Sequence, residues 1–210
     1  MNQPAHAQAE DVLVLDDINT LLTDLVKSLV AMPDAVSVTY HVHGDEVTFG
    51  IKPQQADVRF VNGKGGKHIK AINVIVAAML EPSGRRADVR LLEDNPHGIR
   101  SAITSPFSAF DPKKLDRARQ LLEELIWVFV EKDDALRVTV KKIFDKAFME
   151  IFVAPEDYPN VYGKPMKFEL EPGNFVDDGH LIGSIKSIFD GVGKRCGCKF
   201  QIDLHQTPAV

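Results

Sequence analysis

Apolar residues recur at helical spacing near the start of the chain, where Leu21, Leu22, Leu25, Val26, Leu29 and Val30 form one stripe. Asp16 or Asp17 is placed to cap that helix, which is expected to run through Ala31 before Pro33 ends it. The period then changes from helix to strand. Val36, Val38, Tyr40 and Val42 alternate with Ser37, Thr39, His41 and His43, so one face of a strand is buried. His43-Gly44-Asp45 is turn chemistry, and Val47, Phe49 and Ile51 mark a second alternating strand. One or two helical turns fit between Gln54 and Val61. A longer helix is predicted from Lys67 to about Leu80, ended by Pro82 and Gly84. Ala87, Val89 and Leu91 then alternate as a third strand.

Between the two later helices lies Val61-Asn62-Gly63-Lys64-Gly65-Gly66-Lys67-His68-Ile69-Lys70-Ala71-Ile72. Three glycines in four positions permit positive φ and close approach by a ligand. The amides opening the next helix suit a phosphate, and Lys64, Lys67 and Lys70 add full charges. A P-loop is excluded, because Val61 and His68 stand where its first glycine and its Ser or Thr belong. A dinucleotide fingerprint fails at His68, which would have to be glycine. A plain surface turn at Asn62-Gly63 is the alternative.

From Glu93 to Pro112 the periodicity dissolves into Asn95-Pro96, Ser105-Pro106 and Asp111-Pro112, which reads as a linker over 95–112. Ile103, Phe107 and Phe110 within it are expected to dock on the protein. The pattern then repeats. Leu121, Leu122, Leu125, Ile126, Phe129 and Val130 match the first stripe at an offset of 100. Asp134 to Val140 matches Asp34 to Tyr40 at the same offset, and Phe148 to Pro155 mirrors Val47 to Pro53. Ile185-Lys186-Ser187-Ile188 resembles Ile69-Lys70-Ala71-Ile72, and Lys199 to Leu204 supplies a closing strand. Two copies of one unit are therefore expected, at 16–94 and 113–205, with a disordered lead at 1–15 and a tail at 206–210. The halves are expected to pack as an intramolecular pseudo-dimer, through the first helix of each copy or through the sheets.

The 210 residues carry a formal charge of −5, which argues against general coating of nucleic acid. The stretch from Asp57 to Arg90 runs the other way. It holds Arg59, Lys64, Lys67, Lys70, Arg85, Arg86 and Arg90 against Asp57, Glu81 and Asp88. No apolar run approaches the roughly 20 residues of a membrane helix, and the first ten residues lack the marks of a signal peptide. Cys196 and Cys198, one residue apart, read as reduced thiols in a cytoplasmic protein. No matching Cys or His pair accompanies them, so neither a metal nor a cofactor is expected. His41 and His43 lie on the polar strand face and read as solvated.

The order helix, strand, strand, helix, glycine loop, helix, strand, with Gly63-x-x-Gly66-x-x-Ile69, resembles the αββααβ arrangement of a type II KH domain. The stretch from Asp24 to Leu80 is similar to the small bacterial proteins made of a single KH domain. It departs from them by about two extra residues between Pro53 and Gly63 and by Asn62 at a usually apolar place. The resemblance implies an α+β fold of two tandem type II KH-like domains, each a three-stranded sheet with helices on one face. It also implies single-stranded RNA as partner, with single-stranded DNA as the alternative, gripped over about four nucleotides of backbone. Carried onto this chain, the site would comprise Arg59, Gly63, Lys64, Gly65, Gly66, Lys67, His68, Ile69 and Lys70. The second copy reads as degenerate. Gly163-Lys164 is followed by an insertion at 164–178 that is acidic at Glu169, Glu171, Asp177 and Asp178, and the second glycine falls at Ile182. A protein-interaction scaffold on the same fold is the rival function. An enzyme finds no support, since the seven histidines form no catalytic spacing.

Overall fold

Leu22, Leu25, Val26 and Leu29, the heart of the first stripe, are buried along helix α1 (Ala5–Leu29). A computed structural model describes residues 5–92, 109–163, 168–171, 174–176 and 181–207. Helix α1 begins well before Asp16, so the expected lead is helical from Ala5 onward. Ala5, Ala7, Gln8, Ala9 and Glu10 are strong helix formers, and extending a helix is cheap once its nucleus exists.

The other elements of the N-terminal half are β1 (Ser37–His43), β2 (Glu46–Lys52), α2 (Val58–Asn62), α3 (Lys67–Leu80) and β3 (Arg86–Leu91). Strand β1 runs antiparallel to β2 through the Gly44 turn, pairing Val38 with Ile51. Strands β2 and β3 are parallel, pairing Glu46 with Arg86, and α2 and α3 form the crossover such a pair requires. Val47, Phe49 and Ile51 are fully buried, whereas β1 at the sheet edge is at most half-buried. The C-terminal half repeats this with α4 (Pro112–Trp127), β4 (Arg137–Ile143), β5 (Lys146–Val153), α5 (Tyr158–Tyr162), α6 (Leu181–Cys196) and β8 (Lys199–Gln206). Val138 pairs with Ile151, and β5 runs parallel to β8. A separate two-stranded hairpin, β6 (Phe168–Glu171) and β7 (Asn174–Val176), falls in the expected insertion. The fold is α+β, with two three-stranded sheets and six helices among the described residues.

The register of the repeat differs from expectation after the insertion. Arg86 faces Glu46, and Lys199 faces Lys146, so the closing strands stand at an offset of 113. The buried set Ala71, Ile72, Val74, Ile75, Val76 and Met79 maps at that offset onto Ser184, Ile185, Ser187, Ile188, Phe189 and Val192, all buried. Ile185 therefore corresponds to Ile72, not to Ile69. The four-residue likeness of Ile69–Ile72 to Ile185–Ile188 is a coincidence three residues out of register. At the correct offset Ile182 corresponds to Ile69, and Gly179, outside the described residues, corresponds to Gly66. The β6–β7 hairpin thus lies between the two glycines of the second loop, as an expansion of it.

The halves share one continuous core and meet through helices, α3 against α6 and α1 against α4 and α6. Neither pair of first helices nor the sheets alone makes the seam. Close approach is required at Gly191, where a Cβ would lie 2.7 Å from Leu29 Cδ2 and 2.8 Å from His68 Cε1. Polar contacts cross the same seam. Arg195 Nε donates to the Leu29 carbonyl at 3.0 Å, and Arg117 pairs with Asp24 at 2.7 Å. The free Cys196 and Cys198 are buried beside it, and burial pushes the Cys196 thiol up to about 12. Most of the expected linker lies at 93–108, outside the described residues, including Ile103 and Phe107. Its end is visible. Asp111 accepts the Lys113 amide at 3.0 Å to cap α4, and Lys142 Nζ sits 4.2 Å from the centre of the Phe110 ring.

Candidate nucleic-acid interface

All three loop glycines adopt positive φ, 73° at Gly63, 64° at Gly65 and 76° at Gly66. They do different jobs. A Cβ on Gly63 would lie 2.8 Å from the His68 backbone nitrogen, so this glycine lets the loop fold against the start of α3. A Cβ on Gly65 would meet nothing within 4 Å, so Gly65 faces open space. Gly66 is the left-handed residue that begins α3. The loop closes on itself through the Gly66 amide and the Gly63 carbonyl at 3.2 Å, while the Gly63 amide donates to Arg59 at 2.9 Å. The second half keeps this entry, because Gly163 has φ 83° and donates to Pro159 at 2.9 Å.

Lys64, Lys67 and Lys70 are exposed, and none has an ion-pair partner among the described residues. The Lys70 stem folds back over the loop, its Cε 3.8 Å from where a Gly66 Cβ would stand. The basic stretch of the sequence splits in space. Arg85 and Arg86 lie past the far end of the 14-residue α3, about 20 Å from the loop at 1.5 Å rise per residue. Arg86 pairs there with Asp45, and Arg90 pairs with Asp88. Of that stretch, Lys64, Lys67 and Lys70 lie in or beside the glycine loop and Arg59 lies in the helix that leads into it. Arg59 lies over the Phe60 ring at 4.7 Å, and Arg195 from the other half covers that ring at 4.1 Å.

His68 turns away from the loop surface. Its ring is half-buried against Gly191, with Nδ1 2.7 Å from the Phe60 carbonyl, a distance at which Nδ1–H donates. Burial is the main cause that lowers its pKa below 6.5, the nearby Lys194 adding to it. His68, one of the residues carried onto the loop site by the resemblance, is thus a seam residue that is neutral near neutral pH. The sign of the linkage follows. The unfolded chain binds this proton more readily than the folded one, so stability is complete above about pH 6.5. It declines as the pH falls from there toward the depressed folded pKa. His68→Asn, which keeps a donor for the Phe60 carbonyl, is expected to flatten that part of the denaturation profile. An unchanged profile would contradict the assignment.

Ile69 is half-buried and packs on the core, consistent with a residue under the loop rather than on its surface. Asp57 was not apparent as a functional position from sequence. Its carboxylate, 1% exposed, accepts the Ala31 and Met32 amides at 3.0 Å each and ties the end of α1 to the segment leading into the loop. Arg195 Nη2 stands 3.5 Å from it, an ion-pair distance without a well-aligned hydrogen bond. Asp157 repeats the arrangement with the Glu131 and Lys132 amides at 3.0 and 3.1 Å. The identity of Asp57 and Asp157 at the repeat offset was the available signal; Arg195 had none.

Among the described residues, no group of three or more metal-ligating side chains is gathered, and no helix is long and apolar enough to cross a membrane. Comparison with protein-family models found no match, and no curated protein matched the chain.

Proposed function

We propose that the chain binds single-stranded RNA through the loop from Gly63 to Lys70, with the N-terminal half acting as a type II KH-like domain. The observation that carries this reading is a coincidence at one point of the surface. Three glycines with positive φ, one facing open space, stand beside three exposed lysines that lack partners among the described residues, at the opening of a helix. That combination offers backbone access, oriented amides and full charge to a phosphate chain. The α-β-β-α-α-β order around the loop is in keeping with the KH resemblance. Lys64, Lys67 and Lys70 would contact phosphates, Arg59 would flank them, and Gly63, Gly66 and Ile69 would hold the loop's shape. Single-stranded DNA, the alternative partner, would meet the same contacts. No chemical step is assigned to the protein.

A protein-interaction scaffold is the second reading. It is favoured by the hairpin that expands the second loop and by the formal charge of −5. Filter binding with mixed-sequence single-stranded RNA at low salt, beside a pull-down for protein partners, separates the two. RNA retention supports the first reading; protein capture with no RNA retention supports the second.

A further inference from the structure

The turn joining β4 to β5 breaks a rule that its counterpart obeys. In the first half the turn is made by Gly44, with φ 62° and nothing within 4 Å of a would-be Cβ. At the same place in the second half stands Phe144, the described non-glycine residue with positive φ, at 53°. Its side chain is 89% exposed. An aromatic residue in the left-handed region carries backbone strain, and an exposed ring returns nothing to folding. The chain itself contains the unstrained solution one repeat earlier.

The charge of the two turns differs in the same direction. Residues 41–46 hold Asp45 and Glu46 and no Lys or Arg, whereas residues 141–146 hold Lys141, Lys142 and Lys146 with Asp145 alone opposing them. Lys142 Nζ donates to the Phe144 carbonyl at 2.6 Å, steadying the turn, and Asp145 is engaged by Lys199 at 3.3 Å. Lys141 and Lys146 are exposed, with no ion pair among the described residues.

Position explains why only one turn is changed. The N-terminal turn of α3 lies on the C-terminal half of α6, His68 against Gly191. Helix α6 ends at Cys196, about 7 Å further along its axis. The chain then enters β8, where the Lys199 amide donates to the Asp145 carbonyl at 2.7 Å, next to Phe144. Phe144 is thus at the same end of the molecule as the Gly63–Gly66 loop. The Gly44 turn is at the other end of α3, where the Arg86 amide donates to the Asp45 carbonyl.

We infer that the β4–β5 turn is a second contact for the same single strand, Phe144 stacking on a base and Lys141 and Lys146 meeting phosphates. The inference rests on the RNA-binding reading above. An exposed ring with lysines beside it in the chain suits a base, whose face is rewarded by one aromatic. A membrane surface would call for a broader apolar patch than Phe144 with the partly exposed Ile143 and Phe110.

The test uses the full chain and the variants Phe144→Gly, Phe144→Tyr and Lys64→Glu/Lys67→Glu, with a short mixed-sequence single-stranded RNA and an abasic oligomer of equal length. Phe144→Gly relieves the strained φ, so its denaturation midpoint is expected to equal or exceed that of the wild type. Its RNA affinity is expected to fall roughly five-fold or more, the loss of one base stack. Phe144→Tyr is expected to bind as the wild type does, and the abasic oligomer to bind wild type and Phe144→Gly alike. If the loop variant loses RNA and Phe144→Gly does not, this inference fails while the loop site stands. If Phe144→Gly weakens the abasic oligomer equally, stacking is overturned. Failure of the wild type to bind RNA overturns both readings. Cosedimentation with phosphatidylglycerol vesicles that Phe144→Gly abolishes, with RNA binding unchanged, assigns the turn to membranes and overturns it too.

Discussion

Asp57→Ala is expected to destabilise the protein by about 3–5 kcal/mol, the usual cost of removing one partner from a buried ion pair. The carboxylate is 1% exposed and accepts two backbone amides at the end of α1. Removing it strands both amides and leaves Arg195 without its opposing charge. Its twin gives an internal comparison. Asp157 caps the end of α4 with the same two-amide geometry, and no Arg pairs with it among the described residues. Asp157→Ala is therefore expected to cost less, about 1.5–3 kcal/mol, the range for hydrogen bonds to a charged group. Urea denaturation of both variants measures the order. Equal losses would show that Arg195 draws no stability from Asp57.

Gly65→Asp is expected to weaken single-stranded RNA binding about 100-fold or more while leaving the fold intact. The new side chain enters open space, and aspartate is among the residues that tolerate the left-handed region. What it adds is a negative charge where a phosphate would approach. Two like charges 4 Å apart repel by roughly 4 kcal/mol at an effective dielectric of 20, before salt screening. Circular dichroism of the variant checks the fold and filter binding the affinity. Retained affinity in a folded variant would remove Gly65 from the interface. Gly63→Ala is the contrasting case, since its Cβ would press on the His68 amide and act through the fold.

Much of this arrangement was legible in the sequence because local rules governed it. Helix α3 runs from Lys67 to Leu80 as its apolar spacing, Pro82 and Gly84 indicate, and β1, β2 and β3 follow the alternation of their apolar residues. Positions fixed by tertiary contact were not legible. His68 reads as a residue of the loop site until α6 is placed beside it. Apolar spacing reports that a face is buried, never against what. One clue was present all the same. Ala71, Ile72, Val74, Ile75, Val76, Met79 and Leu80 are apolar on nearly every side of α3, more than one sheet needs to cover. The register of α6 was hidden by the chance likeness at Ile185–Ile188, and strand pairing of Lys146 with Lys199 was needed to correct it. The correction changes the meaning of the second half. Its loop keeps Gly163 and expands into the β6–β7 hairpin before Gly179, so it is an altered loop at the same position.

The most direct test of the loop as an RNA site is the salt dependence of single-stranded RNA affinity in the wild type and in Lys64→Glu/Lys67→Glu. Each phosphate contact contributes about −0.7 to the slope of log K against log salt for single strands. The wild type is expected to bind with a slope of several such contacts, and the double variant to lose binding at every salt concentration while unfolding at the wild-type denaturant midpoint. Equal affinities and equal slopes for the two proteins would contradict the assignment of the Gly63–Lys70 loop as the RNA-binding site.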